Sequence, residues 1–304
     1  MDHPLVAQEH KNLRQLVVQL LRRSYKAHRS SNIVFVCGGN NDADMRMRFC
    51  AYCVENLPDH EIFLPEFAIE NIFSTEPDEQ FDIADFEHLI SELSHAVVLF
   101  PEAAGSYAET GYFSAVKTIS KRCILVLNLK YQKKDSFISL GPAKKIASNS
   151  IFHPLIQIDY DKPNFDSITE RIKRFSQNKY KKRLYVDKFS NLNTYDLSCL
   201  IYQIVNLLTI TTVDDILYTF KVLFKNSYSM PKVRKLLSIL VGSKYLRHIG
   251  EYGHLCINPR KPQLLEIVEG YSEEEREIRL LLAEIYQGSD ADFLSLVMES
   301  RDVD

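Results

Sequence analysis

The stretch AVVLFPEAAGSYAETG, residues 96–111, carries the local pattern on which the predicted fold depends. Ala96 to Phe100 is an apolar run of strand length that is rich in branched side chains. Gly105-Ser106 then makes a tight turn, at which free backbone N–H groups begin a helix. A strand that leads through such a turn into a helix predicts one unit of an α/β domain.

Four more runs of the same kind lie on either side of this stretch, with room for a helix between most of them. Because these runs are apolar on both faces, they are typical of a parallel sheet that is covered on two sides. We therefore predict a doubly wound parallel sheet, in which ligands bind outside the carboxyl ends of the strands. The four runs are Ile33–Cys37, Glu61–Leu64, Cys123–Leu127 and Leu155–Ile158.

The net charge of −3 hides a strong asymmetry along the 304 residues. The signed charges of five successive segments are +4 for 1–30, −10 for 31–170, +6 for 171–208, +5 for 209–260 and −8 for 261–304. The chain thus has an acidic body, a basic middle and an acidic tail, and the basic middle is the part that would bind a polyanionic partner.

Composition excludes several classes of protein. A hydrophobic fraction of 45% with 25% charged residues is ordinary globular usage. We expect neither a membrane span nor a signal peptide, because no long uncharged apolar run is present. Six cysteines without an export signal then indicate reduced thiols in the cytoplasm. Cys50 and Cys53 belong to a packed helix or, alternatively, to a redox or zinc pair, but no second ligand pair completes a metal site.

Patterns outside the strands divide the chain further. An apolar stripe from Leu13 to Leu21 predicts a first helix, which would pack on the main domain or on another subunit of a homo-oligomer. Three helical patterns followed by a hairpin resemble a winged helix-turn-helix. The predicted segments are an N-terminal helix in 1–30, the α/β domain in 31–162, a basic helix or linker in 163–193, the winged helix in 194–262 and acidic helices in 263–304.

Basic residues of the middle segments are candidates for contact with nucleic acid. The alternative for the linker is a solvated face, and winged helices also serve as protein docking modules. The candidates are Lys179, Lys181, Lys182 and Arg183 in the linker, Lys232, Arg234 and Lys235 on the presumed recognition helix, and Arg247 on the wing.

Glu109 is the first candidate for catalysis, because it follows Gly105-Ser106 by one helical turn on the same face. A carboxylate beside a bound sugar is what attack on an anomeric carbon, or its stabilisation, requires. The alternative is a Glu favoured in the first turn by the helix dipole. Polar or glycine residues at other strand ends would line the pocket, namely Cys37, Gly38, Gly39, Glu66, Glu102 and Asn128.

The segment from Phe100 to Ser114 resembles the Gly-x-x-x-Glu-x-Gly pattern of nucleoside 2-deoxyribosyltransferase-like proteins. Within that superfamily the chain is similar to retron effector proteins, in four motifs and in the order of the domains. The motifs are Val34–Gly39, Ile62–Glu66, the segment just named and Lys130–Pro142.

This resemblance implies the toxic effector of a retron anti-phage system, a hydrolase that cleaves an N-glycosidic bond, with NAD as substrate and no cofactor. Its implied partners are the retron reverse transcriptase and multicopy single-stranded DNA joined to RNA (msDNA), which hold the toxin in check. By this resemblance Glu109 matches the catalytic carboxylate, and Gly105 and Ser106 match the turn that meets the ribose. Gly38 and Gly39 match the loop after the first strand. Glu66 and Glu102 match acidic positions of the pocket, and we expect Glu102 to share the acid-base chemistry. One departure is Ala103, which stands where the transferases have an Asp.

Two other functions stay open at this point. One is a phosphoribohydrolase or deoxyribosyltransferase that acts on nucleotides, since those proteins also join a Gly-rich turn to a nearby Glu. The other is a non-catalytic regulator that senses a nucleotide and binds nucleic acid.

Overall fold

The computed structural model describes residues 6–28, 31–64, 66, 82–131, 135–152, 155–176, 181–251, 253–289 and 291–301. These residues form two compact units, one from 31–64, 66 and 82–176 and the other from 6–28 and 181–301. The helices are α1 (Lys11–Arg23), α2 (Met45–Asn56), α3 (Ile83–Leu93), α4 (Ala104–Ala115), α5 (Lys117–Ser120), α6 (Lys144–Asn149), α7 (Asp166–Ser176), α8 (Thr194–Leu208), α9 (Val213–Phe224), α10 (Met230–Gly242), α11 (Ser272–Gln287) and α12 (Ala291–Glu299). The strands are β1 (Tyr25–His28), β2 (Ile33–Cys37), β3 (Glu61–Phe63), β4 (Ala96–Leu99), β5 (Cys123–Asn128), β6 (Ile156–Ile158), β7 (Lys181–Arg183), β8 (Leu246–Ile249), β9 (His254–Ile257) and β10 (Leu265–Ile267).

The first unit is built on a five-stranded parallel sheet in the order β3-β2-β4-β5-β6. The predicted parallel sheet is therefore confirmed, with strand ends that differ from the prediction by one residue at most. Every residue of β2 and β4 is buried, as a sheet covered on both faces requires.

Alternate residues of β2 face opposite layers. Val34 and Val36 pack in one cluster with Phe49 of α2 and Ile168 of α7. Phe35, on the other face, contacts Phe113 of α4 with ring centroids 6.3 Å apart. Helices thus cover both faces, which is the arrangement that the uninterrupted apolar strands predict.

The strand order places a topological switch between β2 and β4. From β2 the chain turns to β3 on one side, and it then returns to β4 on the other side. The connection that follows β2 and the one that follows β4 thus run to opposite sides, and a crevice opens between the carboxyl ends of these two strands. Cys37 and the stretch after Leu99 therefore meet at the usual ligand position of such a sheet.

The second unit contains the three helices α8, α9 and α10, followed by the antiparallel hairpin of β8 and β9. This is the element order that the sequence predicts. As expected, Ser229 caps α10, because its hydroxyl accepts the backbone N–H of Lys232 at 3.3 Å. No helix in the described part of the chain is long and apolar enough to cross a membrane.

Three short strands of this unit were not foreseen. They form a second sheet in the order β10-β1-β7, so β1 follows the first helix, and Lys181–Arg183 is a strand and not part of a basic helix. α1 lies beside α8, α9 and α11 and belongs to this unit, and not to the α/β domain, which was one of the two expected positions; the other, on a second subunit, stays a prediction. Such pairing joins residues far apart in the sequence, which local patterns do not reveal.

Candidate active site

The carboxylate of Glu102 binds the loop that follows β2. Its Oε1 accepts the backbone N–H of Gly39 at 2.9 Å and that of Arg46 at 3.1 Å, while Oε2 accepts the N–H of Met45 at 2.7 Å. A carboxylate at a helix N-terminus satisfies donors that have no partner within the helix. We expected Glu102 to share the catalytic chemistry, but its oxygens are used to hold this loop and the start of α2.

Gly38 and Gly39 lie where the backbone is tightly packed. A Cβ on Gly38 would lie 2.6 Å from the Cβ of Arg46 and 2.7 Å from Oε1 of Glu102. A Cβ on Gly39 would overlap the carboxylate of Asp44. The close approach to Arg46 of α2 thus requires a glycine at position 38, while the expected approach of both glycines to a ligand stays a prediction.

Ser106 and Gly105 take different positions at the start of α4. The Ser106 hydroxyl accepts the backbone N–H groups of Glu102 at 3.1 Å and Ala103 at 3.0 Å, and the side chain is buried. It therefore closes the helix start, and its expected contact with the ligand stays a prediction. Gly105 is exposed, and a Cβ added to it would meet nothing within 4 Å, so this residue leaves open space beside the turn.

Glu109 lies on α4 beside the end of β2. The Cys37 thiol is its hydrogen-bond partner, and its Oε2 is buried without any partner in the described structure. Burial raises the pKa of Glu109, while the Cys37 hydrogen bond and the nearby Arg46 lower it. Burial also keeps the pKa of the Cys37 thiol well above its usual range, so the thiol is the donor. Glu109 thus combines an ionisable carboxylate with one oxygen left for another molecule.

Arg46 supplies positive charge to this site. Its Nη2 lies 2.7 Å from Oε1 of Glu66, and the arginine is only 6% exposed. Arg46 Nε and Glu66 Oε2 are also buried and lack hydrogen-bond partners among the described atoms. Glu66 was expected at the pocket, but Arg46 was not expected, because nothing in the sequence separates it from the other basic residues of α2.

Glu87 on α3 is, after Arg46, the second residue of this site that was not expected from the sequence. It is 9% exposed, and burial, followed by repulsion from Glu109 and Glu66, raises its pKa to about 7. The sequence feature that could have identified Glu87 is its position, because it falls on the buried face of α3 between Phe86 and Ile90. A charged residue on an apolar helix face is a candidate for function.

Asn128 ends β5 and makes a local contact. Its Oδ1 accepts the backbone N–H of Lys130 at 3.0 Å, while the Lys130 ammonium pairs with Asp161. The structure therefore shows Asn128 closing the turn after β5, and its expected contact with a ligand stays a prediction. No group of three His, Cys, Asp or Glu side chains suited to a metal occurs within the described ranges.

The basic candidates of the linker differ in what they contact. Lys181 pairs with Glu266, and the Arg183 guanidinium lies over the rings of Tyr185 and Tyr271, at 5.6 and 5.7 Å. The Lys181 and Arg183 side chains thus make contacts in and beside the β10-β1-β7 sheet, whereas the Lys182 side chain is exposed. Lys179 lies outside the described residues.

The candidates near the hairpin are also partly engaged. Arg247 donates from Nη2 to the backbone oxygens of Glu299 at 3.2 Å and Ser300 at 3.4 Å, so it holds the end of α12. Its expected contact with nucleic acid stays a prediction. Lys232, Arg234 and Lys235 are half-buried on α10.

Comparisons with known proteins identify a family and two relatives. The model of the STM3845 retron effector protein family matches residues 42–248. Two Escherichia coli proteins, named as the retron Ec86 and retron Ec73 ribosyltransferase/DNA-binding proteins, are similar to this chain. The first is 28% identical over 135 residues, which is 43% of this chain and 42% of the relative; the second is 28% identical over 121 residues, 38% of each. The alignments thus span about two fifths of the length of these relatives.

Proposed function

Because the chain belongs to the STM3845 retron effector protein family, we propose that it is the toxic effector of a retron anti-phage system. In this proposal it hydrolyses an N-glycosidic bond of NAD or a related nucleotide once the reverse transcriptase and msDNA no longer inhibit it. The names of the two Escherichia coli relatives, which describe ribosyltransferases, support chemistry at a ribose.

The observation that carries the proposal is the position of Glu109. It lies at the switch point of the sheet, and its Oε2 is buried without a partner. An unpaired buried carboxylate oxygen costs free energy, which a ligand at that position would recover. The exposed Gly105, one turn earlier in α4, leaves space on the same helix face for a sugar.

The reaction follows from these groups. The glycosidic bond breaks with its electron pair leaving on the base, while Glu109 attacks C1′ or stabilises the positive charge that develops there. Water then adds its hydroxyl to C1′ and releases a proton; where Glu109 has bonded to C1′, that bond breaks and its electron pair returns to the carboxylate, so the products are the free base and the ribose moiety. Arg46 favours this role, because its positive charge opposes the burial that would otherwise keep Glu109 protonated.

Glu87 is suited to act as the acid that transfers a proton in this reaction. With a pKa near 7 it is protonated in about half of the molecules at neutral pH, whereas Arg46 and the Cys37 hydrogen bond draw Glu109 toward the ionised form. Two carboxylates with different environments can divide acid and base roles between them. Nicotinamide leaves NAD as a neutral molecule and needs no acid, but adenine would need one.

Restraint by msDNA is assigned to the second unit. Its three helices and hairpin follow the element order of a winged helix-turn-helix, and Lys182 offers an exposed charge. The DNA-binding names of the relatives support such a contact.

The experiment compares the purified protein with Glu109→Gln. We measure free base from NAD and from a panel of nucleoside monophosphates. We expect the variant to lose at least about a hundredfold in turnover, because it can neither attack nor carry the charge. Glu55→Gln, an exposed glutamate of α2, is the matched control and should retain full turnover.

Expression in cells tests the toxic role. The unaltered chain should arrest growth in the absence of its retron partners, and Glu109→Gln should not. Equal turnover or equal toxicity of the two proteins would remove Glu109 from the mechanism. Binding of a nucleotide without any product would instead indicate a regulator.

A further inference from the structure

A cavity of about 680 Å³ lies in the second unit, outside the candidate active site. Its wall is formed by residues of α1, of the segment before α8 and of the turn between α9 and α10. This volume is in the range of cavities that hold a small ligand. Nothing in the proposed glycosidase chemistry uses it.

The cavity wall carries three cations. Arg22 donates from its guanidinium to the backbone oxygens of Val186 at 3.3 Å and Leu223 at 2.7 Å. Both partners are neutral, so the full charge of Arg22 remains at the wall. Lys188 and Lys225 line the same cavity and are exposed. Among the described residues of the wall, Asp187 is the one that is acidic, so the excess charge there is positive and suits a phosphate.

Aromatic rings form another part of the wall. Phe189, Phe224 and Tyr228 all line the cavity. The ring centroids of Phe189 lie 5.6 Å from Phe224 and 6.4 Å from Tyr228 in edge-to-face contacts, and the Tyr228 hydroxyl donates to the backbone oxygen of Leu217. The rings are therefore held in place, and Phe189 and Tyr228 are only half-buried. Fixed, partly exposed rings beside cations are the combination on which unpaired bases stack.

The turn at the cavity is strained. Lys225 and Asn226 have φ angles of 51° and 67°, which place two successive non-glycine residues in the left-handed region. Asparagine tolerates this region, but for Lys225 the conformation costs about 1 kcal/mol or more, and such conformations tend to persist where function requires them. Here the turn brings the Lys225 side chain to the cavity wall.

We propose that this cavity binds an unpaired nucleotide of a single-stranded nucleic acid, with the base against Phe189 and Tyr228 and a phosphate beside Lys188 and Lys225. A base within a duplex cannot enter such a cavity unless it leaves the stack, so unpaired nucleotides are favoured over double-stranded DNA. The proposal rests on the nucleic-acid partner of the proposed function, and it names the part of that partner which the second unit recognises.

The direct test is a photocrosslink. The full chain is irradiated with a 12-nucleotide oligothymidylate that carries 5-iododeoxyuridine, and the crosslinked peptides are identified by mass spectrometry. We expect the label on Phe189 or Tyr228. Crosslinks that lie only elsewhere, or equal crosslinking by a duplex of the same length, would overturn the proposal. Thymidine monophosphate that binds as tightly as the oligonucleotide would also overturn it, because the ligand would then be a free nucleotide.

Affinity of a labelled oligothymidylate gives an independent readout. Phe189→Leu keeps the apolar volume but removes the ring, and should weaken binding roughly fivefold or more. Lys225→Asn removes a charge while keeping a residue that tolerates the left-handed region, and should lower the salt slope by about 0.7. The matched control is Lys244→Asn, because Lys244 also has a positive φ of 58° in this unit but does not line the cavity. Equal effects of the two lysine variants would contradict the assignment.

Base release is measured separately on the unaltered protein. Absent turnover would count against the glycosidase function alone, and absent crosslinking would count against the cavity alone.

Discussion

Glu87 and Glu109 are two carboxylates near one buried guanidinium, that of Arg46. Burial raises the pKa of both carboxylates, but the hydrogen bond from the Cys37 thiol to Glu109 partly lowers the pKa of Glu109 again. For Glu87, burial and the repulsion from Glu109 and Glu66 outweigh the attraction of Arg46, and its pKa reaches about 7. Similar side chains thus acquire different proton affinities from their neighbours, which is the basis for separate acid and base roles.

A pH profile tests the role of Glu87. For a nucleotide whose adenine must be protonated as it leaves, base release should fall above pH 7, where Glu87 loses its proton. Glu87→Gln should lower the rate about a hundredfold at pH 6 and make the profile flat, because the acid is then absent at every pH. NAD is the control substrate: its nicotinamide leaves neutral, so its profile should change little. An unaltered adenine profile in the variant would assign the proton to another group.

Replacement by alanine is expected to have opposite effects on stability at Gly38 and at Gly105. Gly38→Ala should destabilise the protein by about 1–3 kcal/mol, since the new methyl group overlaps Arg46 and Glu102. Gly105→Ala meets open space and should be neutral or stabilising by about 0.5–1 kcal/mol, as alanine favours the helix. Urea denaturation measures both. If Gly105→Ala nevertheless slows base release, a substrate occupies the space beside that turn; equal losses of stability would contradict this account of the loop.

At the scale of elements, β7 changes the interpretation of the basic linker. The run of Lys181, Lys182 and Arg183 has the composition of a solvated basic helix, but it pairs with β1 as a strand. Alternate strand residues point to opposite faces, so Lys181 and Arg183 share one face and Lys182 takes the other. The partners confirm this division, with Glu266 and the two tyrosines on the first face.

This division separates binding from stability. Lys182→Ser should lower the affinity for msDNA and reduce its salt slope by about 0.7–0.9, because one phosphate contact is lost. Arg183→Ser should lower the free energy of unfolding by about 1 kcal/mol, since it loses two contacts with aromatic rings. Titrations at several salt concentrations and urea denaturation distinguish the two. An unchanged slope for Lys182→Ser would exclude that side chain from the interface.

At the scale of the whole molecule, buried histidines link stability to pH. The Ser176 hydroxyl donates to the backbone oxygen of Ile172 at 2.7 Å, and its oxygen lies 2.7 Å from Nε2 of His60 and 3.1 Å from Nε2 of His95. Burial, then repulsion between the two histidines, lowers the pKa of His95 to about 4. The folded protein thus keeps His95 neutral, whereas the unfolded chain protonates it below about pH 6.5.

The two buried groups predict slopes of opposite sign. The stability of the unaltered protein relative to His95→Gln should be greatest above pH 6.5 and fall as the pH drops toward 4, because the unfolded chain then binds the extra proton. Its stability relative to Glu87→Gln should be greatest below pH 4.5 and fall as the pH rises toward 7. Urea denaturation at pH 4.5, 5.5 and 7 measures both differences. Parallel slopes would contradict the assigned pKa shifts.

The sequence by itself determined the parallel sheet and the positions of its strands, because both depend on patterns within a few residues, and for the same reason it singled out Glu109 as a candidate. Uninterrupted apolar strands require a sheet covered on both faces, and a glycine turn before a helix places the next turn of that helix at the strand end. The three helices and the hairpin of the second unit were accessible for the same reason, since helical spacing, caps and turn glycines are local.

Only the tertiary structure decided which side chains surround Glu109 and which are used elsewhere. Glu87 and Arg46 reach the site from α3 and α2, while Glu102 and Ser106, which looked like pocket residues, satisfy backbone donors at two helix starts. The β10-β1-β7 sheet likewise joins three segments that are far apart in the chain. Hydrogen bonds and burial between distant residues set the pKa values and free charges, and no local pattern encodes such contacts.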